Sequence, residues 1–186
     1  MREKLMKNSD GNNNAFLEIN KCRVCNSQNL ESILDLGLHP LANSLRDNLE
    51  IKEIKVPLEL KLCSNCEVAQ LGHTVDPKVM FSNYLWVTGT SNTTKKHAED
   101  FFKYSRENIK SNPNRVLEIA SNDGTFLKAF QSLGMNVLGI EGAKQALNIA
   151  VADGVPVIEG FFGKGVAATA NDRIVEGSRI RLILGM

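Results

Sequence analysis

All four cysteines of the chain lie in two pairs with the same spacing, and this pattern constrains the fold more than any other sequence feature. Cys22 and Cys25 form one Cys-X-X-Cys pair, and Cys63 and Cys66 form the other. Such a turn presents two thiolates on one side of the backbone, so two turns supply the sulfur set that tetrahedral zinc prefers. Four thiolates leave no open coordination position, which predicts a structural zinc ion.

Two other interpretations of the pairs stay open, namely buried thiols without a metal and a redox-active Cys-X-X-Cys motif. The 37 residues between the pairs exceed the usual spacing in zinc ribbons. An inserted subdomain over residues 30–48 would account for that length.

The N-terminus is polar and Asn-rich, without the apolar core of a signal peptide, and it predicts a flexible leader. No apolar run approaches the ~20 residues of a membrane span. A cytoplasmic location follows, where reduced cysteines bind metal more often than they pair. The net charge of +1 gives no support for a nucleic-acid or membrane surface based on bulk charge.

The second half of the chain alternates predicted strands with predicted helices. A helix over residues 93–111, with Thr93 or Thr94 as its N-cap, comes first. Strands then follow at 115–120, 136–141, 155–160 and 179–184, and helices at 124–134, 143–154 and about 161–170. This alternation predicts a parallel, right-handed, doubly wound sheet of the α/β class.

The turn after the first of these strands, in "VLEIASNDGTFL", carries the candidate ligand site. Gly124 allows close backbone approach, but the turn is not G-X-G-X-X-G, which weakens a dinucleotide interpretation. Instead Glu118 lies at the strand end, and Glu141 ends the next strand, where a carboxylate grips a ribose diol. The two acids fit S-adenosylmethionine (SAM), with its cationic amino acid end and its ribose. The alternative is that both acids only cap helix starts.

Three motifs in order resemble the sugar C-methyltransferases with an N-terminal zinc-binding domain: the two cysteine pairs, "NYLWVTGTS", and "VLEIASNDGTFL" with "GIEGA". The resemblance implies SAM-dependent methylation of a nucleotide-linked deoxy-keto-sugar. It implies that zinc is held by Cys22, Cys25, Cys63 and Cys66. It implies donor binding by Glu118, Ser121, Asp123, Gly124 and Glu141, and a segment closing over donor and sugar that includes Gly89, Thr90 and Ser91. Tyr84 is the implied acid–base residue, and His97 is a second catalytic candidate.

The chain also departs from this family. Ala120 stands where glycine is common, and Gly142 stands where proline is common. From Arg115 onward there are 72 residues, which hold about four strands, whereas the family's sheet has seven. The family's later Glu-His pair has no counterpart. We therefore expect a C-terminally truncated or frame-shifted copy that does not methylate as given.

These observations predict a leader over residues 1–19, a zinc-binding domain over 20–75, a connecting segment and helix over 76–112, and a partial Rossmann-like SAM-binding domain over 113–186. The predicted partner is a nucleotide-sugar, without nucleic acid or membrane, and the oligomeric state stays open. Two other functions also stay open: a non-enzymatic zinc-binding partner or regulatory module, and a nucleotide-dependent oxidoreductase, which the missing glycines disfavour.

Overall fold

The computed structural model describes residues 15–109, 114–174 and 182–185; of Ile174 and residues 182–185 it describes only the backbone. Residues 1–14 of the predicted leader therefore lie outside the described residues. The chain divides into two compact units, Met1–Met80 and Phe81–Met186. Within the described ranges, none of the helices has the length and hydropathy needed to span a membrane.

The first unit is built from short antiparallel strands. Strand β1 (Phe16–Glu18) pairs with β5 (His73–Val75). A second sheet has the order β2-β3-β4, formed by Leu30–Pro40, Lys55–Cys63 and Ala69–Leu71. The short helix α1 (Pro77–Phe81) follows β5. Its helical turn begins at Asp76, whose side chain accepts a hydrogen bond from the Lys78 N–H at 2.9 Å.

Two expectations for this unit need correction. Phe16–Glu18, placed in the flexible leader, forms β1 because its backbone groups find partners in β5, a segment distant in sequence. The residues between the cysteine pairs form a long β2–β3 hairpin, with register shifts along it, rather than a separate inserted subdomain. An extended hairpin separates the two pairs along the chain and still returns the second pair beside the first.

The second unit is a parallel sheet with helices on its faces, as the alternation predicted. Its described elements are α2 (Asn92–Asn108), β6 (Arg115–Ile119), α3 (Thr125–Gln131), β7 (Asn136–Glu141), α4 (Lys144–Ala152), β8 (Val157–Glu159), α5 (Lys164–Ile174) and β9 (Leu182–Gly185). The described strands have the order β8-β7-β6-β9, and every pairing is parallel. The chain therefore reverses its direction of travel across the sheet between β6 and β9, which is where ligands bind in such sheets. The predicted α/β fold is confirmed.

Apolar side chains cover both faces of this sheet. On one face Phe102 of α2 packs with Leu127 and Phe130 of α3 and with Val116 of β6. On the other face Ala170 of α5 packs with residues of the sheet strands. Full burial of each large apolar side chain contributes about 1.5–3 kcal/mol, so these layers fix α3 and the turn that precedes it against the sheet.

The N-cap of helix α2 lies two to three residues earlier than expected. Ser91 is its N-cap, and the Ser91 Oγ accepts a hydrogen bond from the Thr94 N–H at 3.4 Å. Thr93 and Thr94, the caps expected from the sequence, lie inside the helix. Ser and Thr are both good N-cap residues and differ only modestly in propensity, so the local sequence separates these positions weakly.

Candidate functional site

The four cysteine sulfurs of the first unit form one cluster, in which all Sγ atoms lie within 4.8 Å of one another. The Cys22 and Cys66 sulfurs are 3.6 Å apart, and the Cys25 and Cys63 sulfurs are 3.7 Å apart. Tetrahedral zinc with bonds of about 2.3 Å places its sulfur ligands about 3.8 Å apart. The observed separations therefore fit zinc, and they exceed the ~2.05 Å bond of a disulfide.

Both Cys-X-X-Cys turns have the same backbone geometry. The Cys22 N–H donates to Ser27 O, and the Cys22 carbonyl accepts from the Asn26 N–H. At the second turn, Cys63 makes the same two bonds with residues at the same spacings, accepting from the Glu67 N–H. Asn26 and Glu67 both have left-handed backbones, with φ of 59° and 61°. This repeated turn aims both thiols of each pair at one point.

The thiols differ in acidity because of what surrounds them. The backbone N–H of Ser27 and then the side chain of Asn65 lower the pKa of Cys25 to about 6. For Cys66 the Val68 N–H acts to lower the pKa, but Cys25, burial and the other sulfurs outweigh it and raise the value to about 12. Four sulfurs this close do not all ionise without a cation among them, and Zn²⁺ supplies that charge.

In the second unit, the turn between β6 and α3 has a strained backbone. Ala120, Asn122 and Gly124 all adopt left-handed conformations, with φ of 60°, 50° and 73°. This explains why glycine suits position 120, since alanine adopts a positive φ at a steric cost. The turn brings its polar side chains inward, so that Ser121, Asn122 and Asp123 are all buried.

Three carboxylates meet at this turn, at the carboxyl ends of β6 and β7. Glu118, Asp123 and Glu141 are 1%, 3% and 7% exposed. Burial, then the nearby charges of Asp123 and Glu141, raise the pKa of Glu118 to about 8. Among the described residues, Glu118 Oε2 and Ser121 Oγ have no hydrogen-bond partner. The turn therefore holds three buried carboxyl groups, and Glu118 has acceptor capacity that the described residues do not use.

Glu141 and Asp123 are bonded to the backbone. The two oxygens of Glu141 accept from the Asn122 N–H and the Ala143 N–H, each at 2.7 Å. Asp123 Oδ1 accepts from the Thr125 N–H at 3.1 Å and from its hydroxyl at 2.7 Å. Ala143 is the N-cap of α4 and Thr125 begins α3, so Glu141 and Asp123 bond to backbone at helix starts. The capping alternative therefore holds in part for Glu141. Each Glu141 oxygen accepts one of these bonds and keeps a second lone pair for a ligand, whereas Asp123 Oδ1 uses both of its lone pairs on Thr125.

The predicted closing segment lies against this turn. Asp123 Oδ2 accepts from the Gly89 N–H at 2.8 Å. A Cβ atom at Gly89 would collide with the side chains of Asp123 and Thr125, so only glycine allows this approach. The hydroxyls of Thr90 and Ser91 are used locally: Thr90 donates to the Val87 carbonyl, and Ser91 caps α2. Gly89 joins the cluster, whereas neither hydroxyl is bonded to it.

The two predicted catalytic residues lie outside this hydrogen-bonded cluster. The Tyr84 ring is half-buried and packs edge-on against Phe81 at 5.9 Å. The His97 ring packs edge-on against Phe126 at 5.8 Å, and His97 is exposed. Among the described residues, no hydrogen bond or ring contact joins either side chain to the acids.

Cavities open at both ends of the strands in the described part of the second unit. One, of about 490 Å³, lies beside the turn and is lined in part by Gly89, Thr90, Asp123 and Thr125. The other, of about 600 Å³, is lined by Arg115 and Asn136, which begin β6 and β7. Ligands of parallel α/β sheets bind at the carboxyl ends of the strands. The smaller cavity adjoins the candidate site at Asp123, although Glu118 and Glu141 do not belong to its lining.

The structure also assigns contacts to residues that were not proposed for the site. Asn122 Oδ1 accepts from the Thr88 N–H at 2.9 Å and from the Thr88 hydroxyl at 3.2 Å. Both residues are buried, at 5% and 1% exposure. The sequence gave one indication of their importance: Thr88 lies in the motif "NYLWVTGTS", and Asn122 lies in the motif "VLEIASNDGTFL". The two residues are 34 positions apart in the chain, so no local sequence pattern indicates that they are in contact.

Comparisons with known proteins give matches both for the cysteine-containing region and for most of the chain. Residues 22–81 match the family model described as "Putative zinc binding domain". The chain is 28% identical over 147 residues to the C-methyltransferase NovU of Streptomyces niveus, an alignment that covers 77% of this chain and 35% of NovU. The chain thus spans about a third of the length of that curated relative.

Solved structures of methyltransferases also match parts of the chain, at low TM-scores. DesVI of Streptomyces venezuelae superposes with a TM-score of 0.39 and 17% identity, covering 53% of this chain and 38% of DesVI. The plantazolicin methyltransferase BpumL, in complex with an analogue and S-adenosylhomocysteine (SAH), superposes with a TM-score of 0.34 and 22% identity, covering 40% and 32%. Two of these matches confirm the resemblance at the level of the zinc-binding region and the enzyme class: residues 22–81 match the zinc-binding-domain model, and the chain is related to a C-methyltransferase.

Proposed function

We propose that this chain provides the donor-binding part of a SAM-dependent C-methyltransferase that acts on a nucleotide-linked deoxy-keto-sugar. One observation carries the proposal: three buried carboxylates meet at the carboxyl ends of β6 and β7, and Glu118 Oε2 has no hydrogen-bond partner in the part of the chain that the structure describes. Buried carboxylates require compensation by a cation or by hydrogen-bond donors. SAM offers an ammonium group, a sulfonium and a ribose diol, which together supply that compensation.

The same charges disfavour a nicotinamide dinucleotide. Its diphosphate is anionic, and it would lie against Glu118 and Asp123 at the first turn of the sheet. Dinucleotide-binding turns use glycines to bring backbone N–H groups to the phosphates, whereas here the Thr125 N–H already donates to Asp123. The electrostatics of the turn therefore favour a cationic ligand over a diphosphate.

SAM supplies an electrophilic methyl group when it is bound. The residues assigned to it here are Glu118 for the cationic amino acid end and Glu141 for the ribose. Carbon methylation beside a keto group also needs a base that removes the proton from the carbon. Tyr84 is proposed for acid–base work, with His97 as the second candidate, since both belong to the segment and helix that flank Gly89.

The direct test is calorimetric titration with SAM, SAH and NAD. The proposal expects saturable binding of SAM and SAH and no binding of NAD. SAH-saturated protein is then titrated with nucleotide-linked keto-sugars, where binding by wild type but not by Tyr84→Phe supports the substrate assignment. Zinc binding without any SAM binding would instead favour the non-enzymatic zinc module.

We expect Glu141→Ala to weaken SAM binding by about 1–3 kcal/mol, the range for losing hydrogen bonds to a charged group. Glu159→Ala is the matched control, because Glu159 ends the next strand, β8, and is exposed. Calorimetry compares the two variants with wild type. Equal losses in both, or unchanged affinity in Glu141→Ala, would show that Glu141 serves only the backbone N–H groups of Asn122 and Ala143.

A further inference from the structure

The segment from Trp86 to Thr90 is attached to the β6–α3 turn mainly through one side chain. Asn122 Oδ1 accepts from the N–H and the hydroxyl of Thr88, and Asn122 Nδ2 donates to the Trp86 carbonyl at 3.1 Å. The carboxamide thus uses both of its ends on a single segment. If the carboxamide were flipped, its NH₂ group would face the N–H and hydroxyl donors of Thr88. These contacts therefore fix its orientation.

Apolar burial contributes little to this attachment. Leu85 and Trp86 are 57% and 47% exposed, whereas Thr88 is 1% exposed and its donors both reach Asn122. The bond from Gly89 to Asp123 is the other polar tie between the segment and the turn. A segment held by a few buried hydrogen bonds opens locally at low cost when one of its acceptors is lost.

Asn122 is also connected to the acids of the candidate site. Its backbone N–H donates to Glu141 Oε2 at 2.7 Å, and it lies between Ser121 and Asp123 in the chain. The bond places one residue in contact both with the closing segment and with the carboxylate assigned to the ribose. A ligand that tightens the turn at Glu141 therefore acts directly on the residue that holds Thr88.

We propose that Asn122 is a positioning residue that couples ligand binding at the three carboxylates to the ordering of the Trp86–Thr90 segment. The inference rests on the proposed function for the identity of the ligand, SAM. The attachment itself needs no ligand. Asn122 contacts no substrate in this proposal: it sets where Thr88 and Gly89 lie, and thereby closes one side of the donor site.

Asn122→Gly is the informative variant, because glycine adopts the φ of 50° freely and only the side chain is lost. Hydrogen–deuterium exchange reads the Thr88 and Gly89 amides, and Trp86, the single tryptophan of the sequence, reports the segment by fluorescence. Without ligand, we expect exchange at both amides to rise about tenfold or more and Trp86 emission to shift to longer wavelength. Asn43→Gly, an exposed left-handed asparagine between β2 and β3, should change neither reading.

Adding SAM tests the coupling. In wild type, SAM should slow exchange at Thr88 and Gly89 at least severalfold, and in Asn122→Gly this protection should be lost while calorimetry still detects binding. Retained protection of the two amides in ligand-free Asn122→Gly would overturn the attachment, and retained SAM-induced protection would overturn the coupling. If wild type binds no SAM, the proposed function fails, and the ligand-free comparison still decides the attachment.

A second variant is needed if the Asn122→Gly substitution also increases hydrogen exchange at the amides of β6 and β7, which would indicate a general loss of structure. Thr88→Val removes the hydroxyl donor and keeps the N–H and the shape of the side chain. We expect a smaller rise in exchange, confined to the Trp86–Thr90 segment, with β6 and β7 unchanged. Wild-type exchange throughout Thr88→Val, together with general loss of protection in Asn122→Gly, would overturn the proposal.

Discussion

Cys63→Ser is expected to abolish stoichiometric zinc binding and to unfold β2, β3 and β4 together. Cys63 is fully buried at the end of β3, and a serine hydroxyl stays protonated at neutral pH, so the variant lacks one of four ligands. In the described part of this unit, the buried apolar side chains are Ala15, Cys22, Leu41 and Cys63. Two of these four are the predicted metal ligands, so we expect metal binding to supply a large part of the folding free energy of this unit.

Elemental analysis and hydrogen exchange check this result. Wild type should contain about one zinc per chain, because the four sulfurs form a single closed site. The variant should contain almost none, with fast exchange throughout the β2–β3–β4 sheet. Ser64→Ala is the control, since Ser64 lies in the same turn and its hydroxyl bonds to Glu31 on the exposed surface. A Cys63→Ser protein that keeps its zinc and its slow amides would contradict the assignment.

The second expected result is that SAM binding strengthens about tenfold per pH unit up to about pH 8 and then levels off. Glu118 has a pKa of about 8, raised first by burial and then by Asp123 and Glu141, so it is mostly protonated below that pH. A cationic ligand favours the carboxylate, and binding then releases about one proton. Between pH 6 and pH 8 the affinity should increase about 50-fold by this linkage, because Glu118 is about 1% ionised at pH 6 and half ionised at pH 8.

Glu118→Gln tests the origin of this dependence, because glutamine keeps the shape of the side chain without its charge. The variant should bind SAM more weakly at pH 8, and its affinity should change little with pH. Calorimetry in buffers of different ionisation enthalpy counts the released protons. A pH dependence that persists in the variant would assign the proton to another group.

The raised pKa of Glu118 also predicts how the free energy of unfolding depends on pH. The pKa of Glu118 is higher in the folded state than its ordinary value of about 4.3. The folded state therefore binds the proton more tightly, and the free energy of unfolding should fall as the pH rises from about 4 to about 8. Urea unfolding of wild type and Glu118→Gln across this range measures the contribution, which the variant should lack.

The sequence by itself predicted the features that depend on local pattern. Each Cys-X-X-Cys turn places its two thiols within a few residues, and the structure repeats the same turn at Cys22 and Cys63. The strand predicted at residues 136–141 is β7 with the same bounds, because its apolar run is buried on both faces of a parallel sheet. The acids at the ends of β6 and β7 followed from topology, since parallel strands bring their carboxyl ends to one edge.

Only the tertiary structure decided the features that depend on partners distant in the chain. Phe16–Glu18 is a strand because β5 pairs with it, and nothing in those three residues separates them from a leader. Ser91, rather than Thr93 or Thr94, caps α2 because Thr88–Thr90 forms a 3-10 turn just before it. Capping propensities alone differ too little to make that choice.

The candidate site shows the same division. The sequence placed Glu118 and Glu141 at a ligand-binding edge, but the raised pKa of Glu118 depends on burial beneath packed helices and on a charge 23 residues away. The attachment of Thr88 to Asn122 spans 34 residues. Hydrophobic periodicity and turn propensity report the residues within about one helical turn or strand. Desolvation and hydrogen bonding across the fold arise only when the helices and the sheet pack, and so the tertiary structure alone reveals them.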